Sequence, residues 1–214
     1  MASEIEVCNL ALGHLGDTAT VASLDPPEGS AQAEHCARFY PIARDMMLQA
    51  HAWNFATRRI QLAQLGEAPY GWAYSYARPA NALDVFDVQF PEVMDYSQQS
   101  YPYVCESNDE GQEVIYTDVE NAVCRYTVQV TDTTKFPPLF VLALSWQVAS
   151  MLAGPILKGD AGAAEAKRCA QMAQAYLNEA KAVDARQRKV ALVHSASGIV
   201  GSDRTAPSNP WGRG

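Results

Sequence analysis

Positive charge is scarce in this chain. Sixteen Lys and Arg stand against 24 Asp and Glu, for a formal net charge of −8. Between Asp84 and Asp132 a single base, Arg125, accompanies eleven acids, so that segment alone nets −10. A surface of this sign repels nucleic-acid phosphates. It argues against a protein that grips DNA, though not against a wall past which DNA slides without sticking. Paired-cysteine spacing is also missing. The five cysteines show no CxxC pattern. Cys8, Cys36 and Cys169 fall on expected helices, and Cys105 and Cys124 on expected strands. All five read as reduced core thiols. A Cys105–Cys124 bridge stays open in case their strands adjoin. The first residues, Met-Ala-Ser-Glu-Ile-Glu, lack an apolar run, so no secretory signal is expected.

Catalytic and metal-binding patterns are missing as well. Of the four histidines, only His35 has an adjacent thiol, Cys36. Adjacent helical side chains point about 100° apart, which makes a poor chelate. No GxSxG, HExxH, Walker or Rossmann pattern occurs. The acids of 84–132 could supply a carboxylate pair for glycoside cleavage, but acids this dense form pairs by chance, and a solvated acidic face is the simpler reading. The expectation is no catalytic residue, no metal and no cofactor. Charge vanishes altogether from Pro137 to Leu157, between Lys135 and Lys158. That length would permit a membrane span. Ser145, Gln147 and Ser150 interrupt its centre and Gly154-Pro155 breaks it, so it reads as a helix buried all round in a helical body.

What is present supports a sizeable core. Hydrophobic residues make up 48% of 214, enough for one large domain or a body with a small lobe. Ten Tyr and four Trp with only 19% charged residues suggest surface covered by partners. Ser3 and Glu6 have capping-box spacing for a first helix over about 4–15, stopped by Gly16-Asp17. Ser30 can cap a second helix running to about Ala52, with a kink or break at Pro41. Trp53 and Phe55 follow as anchors pinning the end of that helix to the body. Strand signals then run from Trp72-Ala73-Tyr74-Ser75-Tyr76 through 83–88, 103–106, 114–116 and 123–130, with a turn at Asn108-Asp109-Glu110-Gly111. A third helix starts at Pro137-Pro138 and ends at Gly154-Pro155. The fourth and longest runs over about 160–189. Its seam of Ala166, Cys169, Ala173, Tyr176 and Ala180 repeats at 3–4 spacing for tight packing against another helix.

From about Val193 onward the chain is rich in Ser, Gly, Pro and Asn without periodicity. Ile199, Val200, Pro210 and Trp211, with Arg204, are candidate anchors for a partner's groove. From Asp184 the chain carries +3, against −11 for residues 1–183, which favours docking onto an acidic neighbour. The fold expected is therefore α+β, mainly α. It comprises an antiparallel helical bundle (residues 1–65 and 134–192), an inserted small acidic β domain (66–133) and an extended C-terminal docking arm (193–214).

Three segments carry a resemblance. They are Val7-Cys8-Asn9-Leu10-Ala11-Leu12-Gly13-His14-Leu15-Gly16, then Phe39-Tyr40-Pro41-Ile42-Ala43-Arg44-Asp45 leading to His51-Ala52-Trp53-Asn54-Phe55-Ala56, then Leu139-Phe140-Val141-Leu142-Ala143-Leu144. Over about residues 3–190 the chain resembles the head-to-tail adaptors, or tail tubular proteins A, of short-tailed phages. The Trp-Asn-Phe-Ala run is the most specific part. Ala52 departs from a frequent Pro, and the 84–132 insertion matches only in character. The resemblance implies a structural virion protein in the neck, made in the host cytoplasm, that forms a twelve-fold ring beneath the portal protein. Its C-terminal arms would wrap the portal, its far face would receive the tail nozzle protein, and its channel would pass DNA. Asp109, Glu110, Glu113, Asp118 and Glu120 would then face DNA or a tail partner. No sequence-specific nucleic acid and no membrane is expected. The alternatives are a tail-associated hydrolase of cell wall or polysaccharide and, less favoured, a protein anchored by 137–157.

Overall fold

The computed structural model describes residues 2–69, 71–91 and 101–187. The first helix, α1 (Glu4–His14), begins with the expected reciprocal cap. The Glu6 N–H donates to Ser3 Oγ at 3.1 Å, and the Ser3 N–H donates to Glu6 Oε2 at 2.7 Å. Gly16, at φ +75°, turns the chain out of it. Ser30 caps α2 (Ala31–Gln49) through the Ala33 N–H. Of the kink or break expected at Pro41, the break does not occur: α2 runs through the proline. The proline removes one helical hydrogen bond but lies on the exposed side, so its ring meets solvent rather than core.

The third helix, α3 (Pro138–Leu157), also outruns its expected end, passing through Gly154-Pro155 for another turn. It is the central helix. From Leu139 to Ala153 no residue is exposed, and α1, α2 and α4 all pack on it. Its apolarity therefore comes with burial inside the protein, although by length and composition alone it is also apolar enough to cross a membrane. A single residue, Lys158 (φ 57°, ψ 163°), turns the chain into α4 (Gly159–Arg186). The two helices then lie antiparallel along most of their length. Gly162 is what lets them close: a Cβ there would stand 2.9 Å from the Ala153 carbonyl oxygen.

The expectation of an antiparallel helical bundle with a small β insertion is corrected here. The fold is α+β, with four helices and two three-stranded antiparallel sheets among the described residues. One sheet has the order β1-β6-β3, from Thr57–Gln61, Val123–Val128 and Ala82–Gln89. The other has the order β2-β5-β4, from Tyr74–Ala77, Glu113–Thr117 and Tyr103–Ser107. Strand β1 lies in a stretch read as part of the helical body. It was invisible locally because Arg58, Arg59, Ile60 and Gln61 are all exposed, and its strand character comes from pairing with β6 across more than 60 residues. The sheets share one continuous core with the helices: Val85, Val88, Ile115, Cys124 and Tyr126 belong to the same buried cluster as Leu12, Leu48, Trp53 and Leu144. Residues 193–214 of the expected arm lie outside the described residues.

Both central strands are buried on both faces. The clean alternation along 123–130 therefore separates two covered faces, not an inner and an outer one. The polar row is accommodated by pairing: Arg125 lies opposite Asp87 in the register and its Nη1 is 3.3 Å from Asp87 Oδ2. Burial raises the Asp87 carboxyl above its ordinary range, and the Arg125 guanidinium offsets part of that rise. The Asn108-to-Gly111 turn forms as expected. Asn108 Oδ1 accepts the N–H groups of Glu110 and Gln112, and Gly111 takes φ +78°. Cys105 and Cys124 sit in different sheets, and all five cysteines are free. Cys105 is exposed, which corrects its reading as a core thiol, while the other four are buried.

Candidate docking site at the root of the C-terminal segment

The segment between α2 and β1 is the junction of the molecule. Trp53 is 1% exposed, and its indole N–H donates to the Met47 carbonyl at 2.9 Å, closing the end of α2. Its ring meets Phe140 edge-on at 5.1 Å. Phe55 reaches the same Phe140 at 5.2 Å, and Phe136 completes the cluster at 4.9 Å from Phe140. The two aromatics thus clamp the N-terminal turn of α3 to the end of α2, each contact adding to plain area burial.

The residues between and beside them do the rest. Asp184, 5% exposed, lies four residues after Ala180 in the last turns of α4. The backbone N–H of Asn54 is 3.2 Å from both Asp184 carboxylate oxygens, and Asn54 Nδ2 donates to Asp184 Oδ2 at 3.0 Å and to its backbone carbonyl at 2.8 Å. His51 Nε2 lies 3.2 Å from the same carboxylate. A buried carboxylate supplied with several donors is held firmly in place. The end of α4 is consequently fixed to the Trp-Asn-Phe-Ala turn. Sequence reasoning missed this cluster. Its signal was an acid at a seam position, where an unpaired charge would be intolerable and a partner is required.

Beside the cluster lies an apolar hollow between the start of α3 and the end of α4, floored by Trp53 and Phe140 and edged by Val183 and Gln187. Val183 remains 38% exposed in it. A second apolar surface lies on α2. Ile42 is 51% exposed and Met46 48%, one helical turn apart, with half-buried Phe39 in line.

The seam residues face α3 to differing degrees. Cys169, Ala173 and Ala180 are buried, Ala166 and Tyr176 half-buried, and Gly162 and Leu177 extend the seam. The five acids all lie exposed but not together. Asp109, Glu110 and Glu113 gather at the β4–β5 turn, where Glu113 pairs with Arg78. Asp118 and Glu120 lie beyond the other end of β5, where Asp118 accepts the Ala73 N–H. Ile199, Val200, Arg204, Pro210 and Trp211 lie outside the described residues.

One pair imitates a catalytic dyad. Ser145 Oγ is 3.0 Å from His14 Nε2, and the imidazole stacks on Trp146 at 3.6 Å. The serine hydroxyl donates its proton to the Leu142 carbonyl at 2.8 Å, so at His14 it accepts. In that arrangement the imidazole presents N–H to the oxygen rather than accepting from it. Burial, then the nearby Arg168 charge, lowers the His14 pKa from its ordinary 6.5. Among the described residues no group of three or more His, Cys, Asp and Glu could hold a metal ion. No protein-family model matches the chain, and no curated protein does either.

Proposed function

We propose that this chain is a structural, non-catalytic component of a phage neck: a head-to-tail adaptor whose copies form a ring between the portal protein and the tail nozzle protein. The observation that carries the reading is the fixed root of the C-terminal segment. Asn54, from the run most specific to the resemblance, and His51 shortly before it hold Asp184 at the end of α4. A docking arm needs such a base, because an arm ordered on binding transmits force only if its root does not give. The exposed apolar residues of α2, Ile42 and Met46, offer a side on which neighbouring copies could pack head to tail. The acids at both ends of β5 suit a surface from which passing DNA is repelled.

Mixing the protein with purified portal and weighing the products tests this reading. The full chain is expected to be monomeric alone and to join the portal as a ring, twelve-fold by the resemblance. A chain ending at Leu192 is expected to stay folded and fail to join. Portal loading by the shortened chain, or no loading by the full one, overturns the proposal.

A further inference from the structure

The hollow beside Trp53 is apolar, and nothing among the described residues fills it. Asp184 is among its lining residues, but its carboxylate is engaged by His51 and Asn54. Val183 leaves much of an aliphatic side chain in water there, a cost that an apolar occupant would remove. The last described residue, Gln187, forms part of the rim, and 27 residues follow it. Two of these, Arg188 and Lys189, are basic, and then come Val190-Ala191-Leu192-Val193 before the chain turns polar at His194 and Ser195.

We propose that Val190–Val193 of the same chain pack into this hollow, so that the segment free to meet a partner begins at about His194. Two observations converge on that occupant. The first is reach: three to six residues past Gln187 span at most roughly 10–20 Å, enough for a site whose edge is Gln187 itself. The second is tethering. A segment joined to the rim meets the hollow at an effective concentration that a free partner cannot match. Ile199-Val200 and Pro210-Trp211 are the competing segments, and a second copy is the competing molecule. The inference concerns the protein by itself and does not rest on the adaptor reading.

Hydroxyl-radical footprinting of the intact chain tests it. Val190, Leu192 and Val193 are expected to be modified several-fold more slowly than Ile199 and Val200, at every protein concentration. In the full-length chain, Val190→Asp with Leu192→Asp is expected to raise binding of a hydrophobic dye several-fold and to lower the melting temperature. Ile199→Asp with Val200→Asp is expected to leave both unchanged. Equal labelling of the two stretches overturns the proposal, as does dye binding that responds to the 199–200 pair instead. Protection lost on dilution assigns the hollow to a second copy and overturns it equally. Val183→Trp, which fills the hollow in place, is expected to suppress the dye signal of the Val190→Asp, Leu192→Asp chain. If it does not, the dye binds elsewhere and the proposal fails.

Discussion

Asn54 serves one carboxylate with both its backbone and its side-chain N–H groups. Replacing Asn54 by Ala removes the side-chain donor and leaves the buried Asp184 short of partners. The expected loss is about 2 kcal/mol in urea denaturation, the cost of an under-served buried acceptor. His14 has a different signature. Its folded-state pKa lies below the ordinary 6.5, so the unfolded chain takes up the proton first as pH falls. Stability is full above 6.5 and declines as pH drops through it, until the folded-state ring protonates too. Urea midpoints at neutral and mildly acid pH are expected to fall less for His14→Gln than for the unsubstituted chain. A thiol assay reads Cys105 directly. In the native protein one cysteine is expected to react quickly, and all five after denaturation. Fast reaction of two or more would show that Cys105 is not the sole accessible thiol.

At the scale of elements, the α3–α4 hairpin is the most sharply determined unit. Gly162→Ala forces a methyl against the Ala153 carbonyl oxygen, so the helices must part. A loss of about 1–3 kcal/mol is expected, read as a lower melting temperature. Lys158 stands at positive φ with extended ψ, a region close to glycine-only. Lys158→Gly is expected to raise stability by roughly 1 kcal/mol, the relieved strain less the added freedom of the unfolded chain. Elements with local chemistry were legible from sequence. Ser3 with Glu6, Ser30, and Asn108 with Gly111 each mark a boundary with atoms only a few residues apart. Elements defined by distant partners were not. Thr57–Gln61 becomes a strand only because β6 lies beside it. The end of α3 depends on the corner at Lys158, which no propensity announces. Trp53 and Phe55 were visible as bulky anchors, but Asn54 between them acquires meaning only from an aspartate 130 residues away.

For the whole molecule, the sequence separates helical and β composition cleanly, yet the fold joins both in one core. A bundle was the natural reading because burial on both faces of β5 and β6 depends on how the sheets are covered, which periodicity cannot express. The same shared core means that residues 66–133 are not expected to melt apart from the helices. Calorimetry should show one transition, and two well-separated transitions would contradict the single core.

The corner at Lys158 has a further consequence. With one residue joining two long helices, there is no slack to absorb an insertion. One extra amino acid at the corner would rotate α4 by about 100° relative to α3, turning the small-residue side of the hairpin toward solvent. Asp184 would swing away from Asn54, roughly 40 Å further along the helix. The molecule is thus geared: a tooth skipped at one end of the hairpin redirects whatever the other end holds out.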